Sequence, residues 1–305
     1  MKYLENLKKV CDTDETITIL GHDNIDVDSF LSGILLSNLL NYLKIKNEFI
    51  ILEEVKEDET YRIVKELLGI DMKEYYSGKE DSSRKLFLQD HYETIHEGKV
   101  VACIDHHPTS QKIEYPFYYS RRSCSTSYMV YEIMKEAGYE ISDEEAKMIL
   151  VSMMIDTVSF RSAKTVEYET NIAYQIAEEY KLNYDEIEKY CLCLTPIEEM
   201  SYEEIVNNGF KYYNYNGNKV KSSYVQLYSK LPQRILYILI DIIKKLMEEE
   251  NLQMWVFILF DCKENKTYEY RVKAGTEECE MHKYAGILSR GTNIMPEIER
   301  LFKIE

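Results

Sequence analysis

The stretch Val101-Ala-Cys-Ile-Asp-His-His-Pro-Thr109 places an aspartate and two histidines directly after a run of apolar residues. That run extends from Val100 to Ile104 and predicts a buried strand. In open α/β sheets, ligands bind beyond the carboxyl ends of the strands. Asp105, His106 and His107 therefore stand where such a fold would place a functional site.

The same alternation of strand-like and helix-like segments runs through the first half of the chain. Strands are predicted at 17–20, 49–52, 85–88 and 100–104. Helices are predicted at 29–42, 59–68, 125–136 and 144–155. This βαβ rhythm indicates an α/β fold with a largely parallel sheet flanked by helices.

The second half has a different pattern. After two further predicted helices, at 170–180 and 184–190, Pro196 interrupts the helical periodicity. Beyond it, Lys211–Val220 predicts a hairpin that turns at Asn216-Gly217, and a helix at 234–250 precedes strands at 254–260 and 267–272. We expect a first domain at 1–192, a linker at 193–198, and a smaller α+β domain at 199–305.

The composition restricts the class of partner. A net charge of −17 on 305 residues opposes a nucleic-acid surface, which needs clustered lysine and arginine. No apolar run is long enough to span a bilayer. The seven cysteines are scattered, and the Cys191–Cys193 spacing is too tight for a usual zinc motif, so we expect reduced thiols. We expect a cytoplasmic protein without nucleic-acid or membrane partners, and a homodimer is left open.

Side chains of the types that bind metal ions occur at four places, each at the end of a predicted strand or helix. They are His22, Asp26 and Asp28; Asp90; Asp105, His106 and His107; and Asp156. A buried carboxylate is costly unless it is paired, so we expect Asp156 to be paired, protonated or bound to metal. Each place has an ordinary alternative: Asp28 or Ser29, for example, would serve as a helix N-cap.

Imidazoles mixed with carboxylates favour Mn²⁺, Co²⁺ or Zn²⁺ over Mg²⁺, which prefers oxygen ligands. These candidate ligands are too many for one open site. They suit two ions that share a bridging carboxylate and lie about 3.5–4 Å apart. We expect two divalent ions, and the ligand types leave Mn²⁺, Co²⁺ and Zn²⁺ open.

The order of these motifs resembles the DHH phosphoesterase superfamily, in particular its manganese-dependent (family II) inorganic pyrophosphatases and exopolyphosphatases. The stretches that carry the resemblance are His22-x-x-x-Asp26-x-Asp28-Ser29, Asp90-His91, Asp105-His106-His107, the small residues 123–127, Ile155-Asp156-Thr157, Lys211 and Ser289-Arg290. The chain lacks the Gly-Gly-Gly-His signature of the other DHH subfamily, whose members cut small oligonucleotides.

The resemblance implies that the two ions are Mn²⁺, with Co²⁺ or Mg²⁺ as alternatives, and it implies a role for each matched residue. One ion would be bound by His22, Asp26 and Asp90, and the other by Asp28, Asp90, His106 and Asp156, with Asp90 bridging. His107 would bind the reacting phosphate or protonate the leaving group, or instead orient a ligand. Lys211 and Arg290 would bind substrate phosphates. His91 and Ser29 would support the ligands rather than bind the ions.

The implied function is the hydrolysis of phosphoanhydride bonds in a small anionic substrate. Inorganic pyrophosphate, cleaved to two phosphates by a hydroxide activated between two metal ions, is the expected substrate. An exopolyphosphatase or another DHH phosphoesterase is the first alternative, because Gly291 stands where the family has a lysine. Arg121 and Arg122 are candidates for replacing that lost charge, and the alternative is a solvated pair at the end of a strand. A non-catalytic binding protein on the same fold is the second alternative.

Overall fold

The computed structural model describes residues 2–11, 14–79, 83–93, 99–109, 112–162, 164–192, 195–228 and 230–303. The chain forms two compact units, the first from Met1–Phe160 and Lys164–Glu188, the second from Arg161–Ala163 and Lys189–Glu305. The first unit ends at Glu188, whereas the predicted first domain ends at 192. The predicted domain bounds stay a prediction. Residues 193 and 194 of the predicted linker lie outside the described residues.

The first unit is built around five parallel strands. These are β1 Ile17–Leu20, β2 Asn47–Ile50, β3 Lys85–Gln89, β4 Lys99–Asp105 and β5 Phe117–Ser120. The helices are α1 Lys2–Cys11, α2 Val27–Tyr42, α3 Glu59–Leu68, α4 Thr126–Glu136, α5 Asp143–Thr157, α6 Glu167–Glu179 and α7 Tyr184–Leu192, the last of which crosses the division between the units. The strand order is β2-β1-β3-β4-β5. The predicted α/β fold with a parallel sheet is confirmed.

The second unit contains a mixed sheet. Its elements are α8 Tyr202–Asn207, β6 Lys211–Tyr215, β7 Asn218–Leu227, α9 Gln233–Glu249, β8 Met254–Asp261, β9 Lys266–Lys273, β10 Cys279–Ala285 and α10 Met295–Leu301. The strand order is β10-β9-β8-β7-β6, with β7 and β8 parallel and the other neighbours antiparallel. Trp255 and Phe257 lie in its core, and the predicted α+β architecture is confirmed.

Five elements escaped the sequence analysis because they are short or have a weak apolar signal, namely α1, β5, α8, β10 and α10. The edge strand β5 has only four residues, which alternate between buried and half-buried. The edge strand β10 is largely exposed and polar, and α1 buries few of its ten residues. The six cysteines in the described ranges are free thiols, as expected, and Cys193 lies outside those ranges. No helix in the described part of the chain is long and apolar enough to cross a membrane.

The sheet order brings distant motifs to one edge. Strands β1, β3 and β4 are consecutive neighbours, and they run parallel. Their carboxyl ends therefore lie side by side, and the segments that follow them carry the polar motifs predicted from the sequence. Helix α2 starts directly after the first of these segments and packs against α4 and α5. The fold thereby gathers residues from the whole first unit at one edge.

Helix α2 depends on a glycine at its centre. A Cβ at Gly33 would lie 2.3 Å from a ring carbon of Phe49, whose ring packs against Phe30 and Tyr75. We expect Gly33→Ala to lower the free energy of unfolding by about 1–2 kcal/mol, because overpacking outweighs the gain in helix propensity. Urea unfolding measures the change. Gly33→Ala combined with Phe49→Leu should recover stability, and an additive double mutant would contradict this account.

Candidate metal centre

Side chains from four segments of the first unit converge at the carboxyl edge of its sheet. One group consists of His22, Asp26 and Asp90, a second of Asp28, His106 and Asp156, and a third of Asp90, His106 and His107. Within each group the potential ligand atoms all lie within 4.8 Å of one another. Each group is therefore compact enough to hold a metal ion.

The first group centres on the imidazole of His22. Its Nε2 lies 3.5 Å from Asp26 Oδ2 and 3.5 Å from Asp90 Oδ2. Its Nδ1 donates to the carbonyl oxygen of Asp23 at 2.8 Å, which directs Nε2 towards the two carboxylates. Burial lowers the pKa of His22, but its hydrogen bonds to Asp26 and Asp90 outweigh this and raise the pKa to about 11. The group thus favours a cation between its carboxylates.

Asp90 belongs to two groups at once. Its Oδ2 faces His22, whereas its Oδ1 lies 3.5 Å from His106 Nε2 and accepts a hydrogen bond from Thr126 Oγ1 at 2.8 Å. Burial raises the pKa of Asp90 well above its ordinary value, and repulsion from Asp28 adds to the effect. A backbone φ of 63° at Asp90 turns the chain sharply at the end of β3. This geometry suits a carboxylate that bridges two cations.

The second group contains two buried polar atoms that face each other. His106 Nε2 and Asp156 Oδ2 lie 3.4 Å apart, and neither has a hydrogen-bond partner among the residues that the structure describes. The other ring nitrogen of His106 donates to the carbonyl oxygen of Ser123 at 3.0 Å, as metal-binding histidines commonly do. Buried polar atoms normally have partners. A metal ion between these two atoms would satisfy both, so the residues present fit a divalent cation.

Asp28 is held by the N-terminus of helix α4. Its carboxylate accepts hydrogen bonds from the backbone N–H groups of Thr126 at 2.6 Å and Ser127 at 2.9 Å. The hydroxyls of Ser127 and Ser152 donate to it as well. Its Oδ2 also lies 3.9 Å from His106 Nε2. The amide dipoles of α4 therefore stabilise a buried anion that points into the second group.

The helix-cap alternative for Asp28 or Ser29 is wrong. The N-cap of α2 is Asp26, whose side chain accepts from the Ser29 backbone N–H at 2.9 Å. Sequence reasoning missed this because three polar positions within four residues compete for one cap, and α2 begins at Val27 rather than at Ser29. Asp26 thus combines a capping role with its place beside His22.

Asp156 is the penultimate residue of α5, and each of its oxygens has a different environment. Oδ1 lies 2.6 Å from Lys164 Nζ, whereas Oδ2 faces His106. Burial raises the pKa of Asp156, and Lys164 and His106 act in the opposite direction. The expectation that this carboxylate would be paired is met on its outer side by Lys164, a residue that the sequence analysis did not identify.

The remaining predicted residues of the first unit border the cluster. His107 Nδ1 lies 2.8 Å from Asp105 Oδ1, and this contact raises the pKa of His107. His91 contacts the carbonyl oxygen of Gln89 with Nδ1, and its ring meets that of His22 edge-on at 6.5 Å. Ser29 Oγ accepts from the backbone N–H of His22 at 3.2 Å. His91 and Ser29 therefore contact the segments that carry ligands.

The two predicted phosphate-binding residues belong to the second unit. Lys211 is the first residue of β6 and is exposed. Arg290 begins a π-helical turn, donates to the carbonyl oxygen of Gly209 and lies over the ring of Tyr224 at 5.3 Å. Because Gly209 is two residues before Lys211, the structure brings Arg290 next to the start of the strand that Lys211 opens.

Several contacts at the centre left no signal in the sequence. Thr126, Ser127 and Ser152 read as ordinary small residues, although Ser152 lies four positions before Asp156 and so shares its helix face. Glu169 is fully buried in α6 and accepts hydrogen bonds from the side chain of Ser123 and from the backbone of Cys124. It thereby holds the segment whose Ser123 carbonyl orients His106.

The family comparison agrees with this geometry. Residues 16–155 match the N-terminal domain of the DHH family. This match lies within the first unit, and the resemblance noted from the motifs is confirmed.

Two relatives match nearly the whole chain. A manganese-dependent inorganic pyrophosphatase of Methanocaldococcus jannaschii is 24% identical, over 93% of this chain and 98% of its own length. A solved Methanococcus jannaschii structure assigned to family II inorganic pyrophosphatase superposes with a TM-score of 0.60 at 22% identity, over 94% of this chain and 99% of that one. The expected likeness to manganese-dependent pyrophosphatases is confirmed.

A third match has a different name. The structure of an exopolyphosphatase-related protein from Bacteroides fragilis superposes with a TM-score of 0.52 at 16% identity, covering 99% of this chain and 98% of that one. At such identities the two structural matches establish a shared fold, which extends over both units.

The buried Glu169 offers a test of how the centre is supported. Gln in its place cannot accept all the hydrogen bonds from Ser123, Cys124 and Arg121. We expect Glu169→Gln to lower the free energy of unfolding by about 2–4 kcal/mol, measured by urea unfolding. The control is Glu132→Gln, which removes the other carboxylate on Arg121 from a partly exposed position and should cost about 1 kcal/mol or less. Equal losses would contradict this role of Glu169.

Proposed function

We propose that this protein is a metal-dependent hydrolase of phosphoanhydride bonds and that inorganic pyrophosphate is its substrate. The observation that carries the proposal is the position of Asp90, which directs one oxygen to each of two ligand groups. The unpartnered atoms of His106 and Asp156 in the second group support it. A pair of divalent cations matches this arrangement and is common among enzymes that cleave phosphate bonds.

The first proposed ligand set is the first group seen in the structure, and the second set adds Asp90 to the second group. One ion would be held by His22, Asp26 and Asp90, and the other by Asp28, Asp90, His106 and Asp156. Mn²⁺ is the proposed ion, because the ligands mix imidazole with carboxylate and the relatives above are named as manganese-dependent. When bound, the ions would lower the pKa of a shared water and offset the negative charge of the phosphates.

The protein's own residues would position the substrate and move protons. Asp105 holds Nδ1 of His107, so Nε2 is the atom with which His107 would bind a phosphate oxygen or protonate the leaving group. Lys211 and Arg290 are proposed to bind the phosphates, and their closeness within the second unit supports a shared role. Thr126 and the α4 amides would keep Asp90 and Asp28 oriented during turnover.

An exopolyphosphatase is the second candidate. Gly291 follows Arg290 where the pyrophosphatase pattern has a lysine, so one contact that helps to grip a compact substrate is missing. The structural match to an exopolyphosphatase-related protein supports the same alternative. A non-catalytic binding protein is the weaker alternative, because all six predicted ligands are present. The cytoplasmic location and the homodimer stay predictions.

The substrate is tested by measuring phosphate release from pyrophosphate and from long-chain polyphosphate. With Mn²⁺ present, we expect faster release from pyrophosphate. After chelation of the metal, we expect no release from either compound, because the cluster alone has no means of activating water. Preference for polyphosphate would favour the second candidate. Lack of phosphate release from either compound in the presence of Mn²⁺ would refute the proposed hydrolase.

The bridging role is tested by Asp90→Asn. Asparagine tolerates the positive φ and removes one negative charge from the cluster, so we expect the metal-free variant to be at least as stable as the wild type. Mn²⁺ at 1,000 times its Kd should stabilise the wild type by about 4 kcal/mol, and the variant by less than 1 kcal/mol. Thermal unfolding with and without Mn²⁺ measures both effects.

The matched control for this test is Asp105→Asn, which changes a second buried carboxylate that belongs to none of the three ligand groups. We expect this control to keep its stabilisation by Mn²⁺. Full Mn²⁺ stabilisation of Asp90→Asn would exclude a bridging carboxylate at this position.

A further inference from the structure

The proposed metal centre leaves one nearby cation without a role. Lys164 lies between Thr157, where α5 ends, and α6. Its Nζ is 2.6 Å from Asp156 Oδ1, and 47% of its side chain is exposed. We propose that Lys164 binds a phosphate oxygen of the substrate next to the second metal ion. This inference rests on the proposed function.

The first argument is that the two oxygens of the Asp156 carboxylate face different groups. Its inner oxygen, Oδ2, is buried and faces His106 at 3.4 Å, in the direction of the proposed ion. Its outer oxygen, Oδ1, faces Lys164. The ammonium group therefore lies one carboxylate away from the ion and on the solvent side. A phosphate that binds this ion from the solvent would come within reach of Nζ.

The second argument is the charge balance of the site. The proposed centre contains four carboxylates, on Asp26, Asp28, Asp90 and Asp156. Two divalent ions neutralise these four charges and leave nothing to offset a polyanionic substrate. Further cations are therefore needed close to the phosphates. Because Gly291 replaces a lysine of the pyrophosphatase pattern, this chain requires a cation from another position.

The third argument is that the arginines considered from the sequence have other partners. Arg121 donates to Glu132 and Glu169, both at 2.6 Å, and its side chain is largely buried. Arg121 therefore stabilises the fold. It neither replaces the lost lysine charge nor lies in a freely solvated position. Arg122 donates to the carbonyl oxygen of Thr165 at 3.4 Å. Lys164, in contrast, directly contacts a proposed ligand from a half-exposed position.

A competing account of Lys164 predicts a different experimental result. If Lys164 only occupied the space of a metal ion in the metal-free protein, its removal would strengthen Mn²⁺ binding and leave phosphate binding unchanged. If it binds substrate, its removal would weaken phosphate binding and leave Mn²⁺ affinity nearly unchanged. The two accounts thus differ in whether Mn²⁺ binding is strengthened and in whether phosphate binding is weakened.

The test compares Lys164→Met and Lys164→Arg with the wild type. Calorimetric titration of Mn²⁺-saturated protein with inorganic phosphate gives Kd without any turnover. We expect Lys164→Met to raise this Kd about 10- to 100-fold, because a charge-assisted hydrogen bond is lost. Lys164→Arg should recover most of the affinity. The Kd for Mn²⁺, measured separately, should change less than about threefold.

The matched control is Lys73→Met. Lys73 is as exposed as Lys164, pairs with Glu57 and lies over the ring of Tyr61. Its substitution by Met therefore removes the same charge at a different place. We expect the control to bind phosphate like the wild type. An unchanged phosphate Kd in Lys164→Met, or tighter Mn²⁺ binding with unchanged phosphate affinity, would overturn the inference. Phosphate binding without pyrophosphate hydrolysis in the wild type would refute the proposed function instead and still test Lys164.

Discussion

Mutual repulsion among clustered carboxylates is the constraint on which the rest of the first unit depends. Asp28, Asp90 and Asp156 lie together at the edge of the sheet, largely away from water. Burial raises the pKa of Asp90 and Asp156, because ionised groups lose hydration there. The surrounding elements supply the donors and cations that make such a cluster tolerable. The same excess of negative charge suits a site that could hold metal ions.

The segment that leads into α4 carries much of this compensation. The carbonyl oxygen of Ser123 orients His106, the amides of Thr126 and Ser127 bind Asp28, and the hydroxyl of Thr126 binds Asp90. Glu169 in turn holds the start of this segment from α6, as described above. A stretch that resembles an ordinary helix start therefore acts as a support for both ligand groups.

Family likeness and local geometry answer different questions about this chain. The match to the DHH-family domain and the likeness to pyrophosphatases show what kind of protein this chain resembles. How this chain would contact phosphates is a separate question, because Gly291 stands where the pyrophosphatase pattern has a lysine. The contact between Lys164 and Asp156 comes from the coordinates alone. Substrate choice within one family is expected to differ through such positions. Substitutions there change the contacts to phosphate and leave the proposed metal ligands intact.

The sequence by itself determined the parallel sheet, the second α+β unit and the set of polar residues at the strand ends. These features depend on local signals, namely apolar runs, helical periodicity and short motifs. Tertiary structure alone decided which groups face each other. Asp28 and Thr126 are 98 positions apart, and Asp28 and Ser152 are 124 positions apart. No local pattern encodes such pairs, because they arise only when strand order and helix packing bring separate segments to the same edge.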